Sequence, residues 1–374
     1  MSIAENADSD YALLLTKPTP LNVGMTALER LLRVAADADA AMVYSDHYSI
    51  ENGEMKQHPA IDYQKGSIRD DFDFGSLVLI NSRLLREYAE TQVENDELKH
   101  AGFYDLRLFL SRKGEILHIN EYLYTEEERD LRASGVKQFD YVNPANREVQ
   151  IEMEQVATRH LDAIGALVDT NYYQYPDFNE QDFPVEASVN IPVRNREKTI
   201  LDAIRSALQQ ETNFEYNVIV VDNHSTDGTT ELIRNEESSR LIHIIPERND
   251  LGIGGCWNMA INDERCGRFA VQLDSDDLYS SENTLQTIVD EFHKQHAAMI
   301  IGSYRMCDFN LNTLPPGLID HAEWTDDNGC NNALRINGLG APRAFFTPLL
   351  RQLQFPNTSY GEDYAMALAF CRRY

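Results

Sequence analysis

FAVQLDSDD (269–277) begins as a short apolar segment and ends in three carboxylates within four positions, Asp274, Asp276 and Asp277. Its first half has the length and content of a buried strand. Negative charge concentrated at a strand end is costly unless a cation shares it. An oxygen-only ligand set suits Mg2+ or Mn2+, and these ions usually complete their coordination with substrate phosphates and water.

Outward from this stretch, apolar segments and amphipathic helices alternate. ASVNIPV (187–193), NVIVVD (217–222), LIHII (241–245) and AAMIIGSY (297–304) read as strands. Helices are expected over Lys198–Gln210, from Thr226 and Asp227 to near Asn235, from near Gly252, and from near Asn283. Such alternation predicts an α/β domain around a largely parallel sheet with right-handed crossovers. Ligands collect at the carboxyl ends of the strands in such sheets, and both Asp222 and Asp274 lie there.

Two further segments bear on chemistry. In VIVVDNHSTDGTTEL (218–232), Asp222 either accepts a hydrogen bond from a base N–H or joins Asp227 in capping the next helix, and Asp227 is read as a cap. In ERNDLGIGGCWNMAI (247–261), the glycines allow a close backbone approach, but they do not follow the first strand as a dinucleotide fingerprint would. Asp71-Phe72-Asp73 has the spacing of the Asp274 pair without its preceding strand, and is read as a solvated or capping segment.

Taken in order, IPVRN (191–195), AIRSALQQ (203–210), VVDNHSTDGT (220–229), Asn249 through Asn258 and LDSDD (273–277) resemble family 2 of the inverting glycosyltransferases. The resemblance implies a GT-A fold, a Rossmann-like, mainly parallel nucleotide-diphospho-sugar transferase domain. It implies a base and ribose pocket lined by Pro192, Val193 and Asp222, and a nucleotide bordered by Asn249 and Asn258. Asp274 and Ser275 would face the donor, and Asp276 would ligate Mn2+ or Mg2+ between the two phosphates. SYGEDYAMALAF (359–370) resembles the acceptor motif of that family. Asp363 is then the expected general base, and Glu362 binds the acceptor or orients the base. The chain departs from the usual pattern at Arg194-Asn195-Arg196 and at Asn223-His224, where His224 is read as a turn residue. In that family a strand normally follows the last helix, so a second domain truncated near Tyr374 is expected.

The whole chain sets limits on partners. Its 374 residues are too many for one ordinary core, and 43% are hydrophobic. Acidic side chains number 61 against 33 basic ones, a formal charge of −28. Such a surface repels nucleic acid and anionic bilayers, so a nucleotide diphosphate needs local help from a cation or from backbone N–H groups. The five cysteines form no Cys-x-x-Cys pair and read as reduced thiols. No apolar run reaches the roughly 18 residues of a membrane span, and MSIAENADSDYALLL lacks the basic start of a signal peptide. A cytoplasmic protein without an integral membrane segment is therefore expected.

A domain boundary is expected near 171–186, a polar and aromatic linker, with the first domain over 1–170 and the glycosyltransferase domain over 187–374. The first domain ends in an amphipathic helix near 145–168, packed on its own domain or on another copy of the chain. Its segments echo the second half in order: YALLLTKPTPLN (11–22) with FAVQLDSDDLYS (269–280), AAMVYSDHY (40–48) with AAMIIGSYR (297–305), GSLVLINSRLL (75–85) with GAPRAFFTPLL (340–350), and YDLRLFL (104–110) with EDYAMAL (362–368). The expectation is a partial, degenerate GT-A-like domain in which Thr16-Lys17-Pro18 replaces Asp274-Ser275-Asp276, leaving it non-catalytic.

The expected activity is transfer of a sugar from a nucleotide diphosphate donor, a UDP-sugar in the first instance, to a hydroxyl of a glycan or other acceptor. The alternative is a scaffold that binds nucleotide-sugar or glycan without turnover.

Overall fold

The computed structural model describes residues 4, 6–91, 98–127, 147–179, 181–321, 329–336 and 338–374. They form two compact units, one of residues up to 167 with 329–336, the other of 168–321 with 338–374.

The second unit is built on a six-stranded sheet. Its strands are β7 (Ala187–Val193), β8 (Tyr216–Asp222), β9 (Leu241–Ile244), β10 (Phe269–Gln272), β11 (Met299–Ile301) and β14 (Arg343–Phe346), in the order β11-β14-β10-β7-β8-β9. β10, β7, β8 and β9 run parallel. The run Val218–Val221 in β8 is buried on both faces, which suits β-branched side chains in a central parallel strand. β14 enters antiparallel between β10 and β11, so 297–304 does not extend the parallel set as its sequence suggested. A separate hairpin joins β12 (Tyr304–Cys307) and β13 (Thr313–Ile319).

The expected linker is a packed part of this unit. Phe178 is buried, with its ring edge-on to Phe269 at 5.1 Å, while Phe269 stacks on Phe292 at 4.3 Å. An apolar anchor of this size overrides the polar character of its neighbours.

The first unit has its own sheet: β1 (Tyr11–Leu15), β2 (Leu21–Val23), β3 (Met42–Glu51), β4 (Glu54–His58), β5 (Leu77–Asn81) and β6 (Ile116–Glu127). Its order is β1-β5-β3-β6-β2, with β4 paired to β3. The pairings match those of the second unit at the positions that echo one another in sequence. Tyr11 pairs with Asn81 as Phe269 pairs with Phe346, and Met42 pairs with Ile80 as Met299 pairs with Phe345. Connecting bonds recur too: Ser82 N donates to Asp10 O at 2.9 Å and Thr347 N to Arg268 O at 2.9 Å. The helix Arg147–Ala163 buries Val156 and Leu161 within this unit, whereas Ile164 and Leu167 are exposed.

Arg335 is fully buried in the first unit, where its guanidinium bonds to Asp70, Gln150 and Asn332. Truncating one partner of a buried ion pair strands the other charge. Asp70→Ala should therefore cost about 3–5 kcal/mol of stability in chemical denaturation.

Candidate active site

The acidic strand end is assembled by three elements. β10 delivers Asp274, Asp276 and Asp277 just beyond Gln272. β14 contributes the buried Arg343, and the helix Glu362–Cys371 begins with Glu362 and Asp363. Arg343 joins all three: Nε donates to Gln272 Oε1 at 2.8 Å, one terminal nitrogen donates to the Leu339 carbonyl at 2.9 Å, and the other lies 2.9 Å from Asp363 Oδ2. Sequence reading missed Arg343, because nothing in RAFF separates a site arginine from a strand-edge one.

The electrostatics show that these carboxylates share one neighbourhood. Asp274 and Asp277 keep exposed surface, yet protein atoms crowd their other sides. That desolvation raises Asp274, with Asp276 and Asp363 adding to it and Arg343 opposing. Desolvation followed by Asp274 and Asp276 pushes Asp277 up to about 6. Burial raises Glu362, Asp363 and Asp274 add to the effect, and Arg343 opposes it. Glu362 is 6% exposed and its Oε2 has no hydrogen-bond partner.

A second set of contacts places the helix that carries Glu362 and Asp363. Gly254 N donates to Thr358 O (2.9 Å), and Gly252 N donates to Asn357 Oδ1 (2.8 Å). A Cβ on Gly254 would lie 1.8 Å from Pro356 O, and one on Gly255 2.3 Å from Asn357 Oδ1. The glycines thus admit the chain's own 356–358 segment. Asn258 belongs to the same clamp: its Nδ2 donates to Phe355 O at 2.8 Å and its Oδ1 accepts from Phe355 N at 2.8 Å. Both ends of its amide are engaged by backbone, a structural role that the sequence did not suggest for Asn258.

Other expected pocket residues divide. Val193 is buried in the core, so its side chain does not line a pocket, while Pro192 is half-buried and Asn249 exposed. Ser275 is buried. Asp222 is fully buried and turned inward, with Oδ1 accepting from Ser225 N at 3.0 Å, Oδ2 from Thr230 Oγ1 at 2.5 Å, and His243 3.6 Å away. Burial works against its charge, but His243, Thr230 and Ser225 outweigh it and hold the carboxyl well below the usual range. In this structure Asp222 fixes the turn after β8 and presents no oxygen to solvent. Asp227 stands one residue before the cap position, which Gly228 occupies, and its Oδ1 accepts from Thr229 N at 3.0 Å. His224 is the expected turn residue, at φ 57°.

Among the described residues, no three His, Cys, Asp or Glu side chains converge as a protein-only metal cage. The donor set at the strand end, oxygen-only and raised by mutual repulsion, fits a hard divalent cation that shares its coordination with a ligand.

Residues 188–351 match the family described as "Glycosyl transferase family 2". The second domain belongs to that family. Over 113 residues, 28% of this chain, it is 34% identical to the poly(ribitol-phosphate) beta-N-acetylglucosaminyltransferase TarS of Staphylococcus aureus. The aligned stretch spans 19% of that relative's length. The crystal structure of S. aureus TarS 1–349 in complex with UDP has 26% identity and a TM-score of 0.38, covering 50% of this chain and 54% of that one. The mannosyltransferase PcManGT from Pyrobaculum calidifontis, in complex with GDP-Man and Mn2+, has 18% identity and a TM-score of 0.34, covering 59% of this chain and 62% of that one. The chain thus contains a family 2 glycosyltransferase domain with α/β architecture, and no helix among its described residues is long and apolar enough to cross a membrane.

Asn258→Leu separates the two roles considered for that side chain in the glycosyltransferase domain. It should lower stability by about 1–3 kcal/mol in denaturant titration, since the N–H and C=O of residue 355 lose their partners. The affinity of the folded variant for UDP should match that of the parent.

Proposed function

We propose that the chain transfers a sugar from a uridine diphosphate sugar to a hydroxyl of a glycan or related acceptor, with inversion at the anomeric carbon. The observation that carries this reading is that Asp274, Asp276 and Asp277 lie within electrostatic reach of one another and of Arg343, which bonds Asp363, while Arg196 stands beside Asp276. A donor-side acidic cluster beside an acceptor-side carboxylate is what a direct displacement requires. The domain is 34% identical to part of TarS, a protein whose crystal structure is described in complex with UDP, and this supports the choice of uridine nucleotide.

Asp276, with Asp274 beside it, would hold Mn2+ or Mg2+. When bound, the cation supplies charge that stabilises the departing diphosphate. Asp363 accepts the proton of the acceptor hydroxyl as that oxygen bonds to the anomeric carbon, on the face opposite the leaving group. Its link to Arg343, at 2.9 Å, holds the carboxylate in place while the proton is taken. Glu362, buried and raised, orients the acceptor or Asp363. The first domain is a non-catalytic companion in this reading: Thr16 donates its hydroxyl to Gly75 O, and Lys17 lies 3.7 Å from Asp73 and 3.9 Å from Glu126 where the second domain carries acids.

Two substitutions test the assignment. Asp276→Asn keeps the shape but removes a charge facing the diphosphate. Its UDP affinity with Mn2+, measured by calorimetry, should fall to the metal-free value, and the parent should bind one nucleotide per chain. Equal affinities for variant and parent would remove Asp276 from the metal site.

Asp363→Asn should leave UDP and Mn2+ binding nearly intact and lower transfer by roughly 10²–10⁴-fold, the usual share of a general base. The loss should sit in kcat rather than in donor affinity. A parent that binds the donor but never consumes it in the presence of acceptors would be a binding scaffold.

A further inference from the structure

Two arginines border the acidic strand end, and they differ in how they are held. Arg343 is buried and its donors are divided among Gln272, Leu339 and Asp363. Arg196 stands on the loop after β7 with a side chain 50% exposed, and its Nε lies 3.5 Å from Asp276 Oδ2. Among the described residues its guanidinium makes one further bond, a long one from a terminal nitrogen to the Asn195 carbonyl at 3.4 Å.

The backbone beneath Arg196 is pinned. Asn195 N donates to Ser225 Oγ (2.9 Å), and Asn195 Oδ1 accepts from Thr226 N (2.7 Å). Arg196 N donates to Thr229 Oγ1 (2.8 Å), and Glu197 Oε2 accepts from Gly228 N (3.1 Å). The guanidinium can therefore change partners by side-chain rotation alone, from a fixed base beside the acidic cluster.

We propose that Arg196 is a diphosphate-binding residue with two alternative partners. It neutralises Asp276 while that carboxylate is free, and it turns to the donor's phosphate oxygens once a divalent cation occupies Asp276. The inference rests on the reading of Asp276 as the metal ligand. Three physical reasons support it. A chain of formal charge −28 repels a dianionic ligand and needs local cations to admit it. A dication at Asp276 competes with the guanidinium for the same oxygens and repels it at short range. The planar fork of an arginine matches phosphate oxygens with paired, charge-assisted hydrogen bonds.

Removing the side chain should accordingly produce two effects of opposite sign. Arg196→Gln in the full chain should bind Mn2+ alone several-fold more tightly, because the competing guanidinium is gone; free Mn2+ is read by electron paramagnetic resonance. At saturating Mn2+ the same variant should bind UDP roughly ten- to a hundredfold more weakly, as expected for lost hydrogen bonds to a charged group. Uridine, which lacks phosphate, should bind the variant as it binds the parent. Arg196→Lys, which keeps the charge without the fork, should recover part of the UDP affinity. General damage to the fold would weaken Mn2+, UDP and uridine together, and that pattern overturns the proposal. So does an unchanged UDP affinity. A parent that binds neither Mn2+ nor UDP is a different failure: it removes the donor-site reading itself and the proposal with it.

Discussion

Arg343 divides its donors among the side chain at the end of β10, a loop carbonyl and the first turn of the helix Glu362–Cys371. The site depends on that division. Without a buried guanidinium, the carboxylates of Asp274, Asp277, Glu362 and Asp363 would face one another with nothing to offset their repulsion. Because its hydrogen bonds have direction, Arg343 also ties the carboxylate expected to act on the acceptor to the strand expected to serve the donor. A buried charge of this kind contributes little net stability, and its worth lies in fixing one arrangement.

The second constraint is steric. The helix Glu362–Cys371 can reach the strand end only because Gly252, Gly254 and Gly255 leave room for the chain at 356–358. Any Cβ at Gly254 would displace a carbonyl rather than a flexible side chain. Asn258 and Asn357 complete the clamp by bonding backbone groups that would otherwise be stranded. These residues serve the site by placing others, which is why their spacing suggests a ligand loop when read alone.

The two units carry the same local pairings and different side chains at the corresponding strand end. β1-β5-β3 and β10-β14-β11 share order and register, down to the bonds that start the helices at Ser82 and Thr347. At the strand end the first unit places Thr16 and Lys17, and the ammonium of Lys17 meets Asp73 and Glu126. There one ammonium is shared by two carboxylates, each of which also meets a histidine. In the second unit three acids follow β10 and Glu362 and Asp363 join them, with Arg196 and Arg343 as the cations beside them among the described residues.

By itself the sequence determined the α/β alternation of the second half, the acidic strand end, the boundaries of β7, β8 and β9 to within a residue, and the internal echo between the halves. These follow from local periodicity and from short-range order along the chain, which a linear reading retains. It also determined that His224 turns, since that role is set within a few residues of its own position. Only the tertiary structure decided that β14 inserts antiparallel beside β10, that Phe178 makes the supposed linker part of a core, and that Arg343 joins Gln272 to Asp363. The inward roles of Asp222 and Asn258 were decided there as well. The reason is the same in each case. A polar side chain near a site turns to whichever partner removes its desolvation cost, and for these residues that partner lies in a distant segment or in a turn whose geometry exists only when folded.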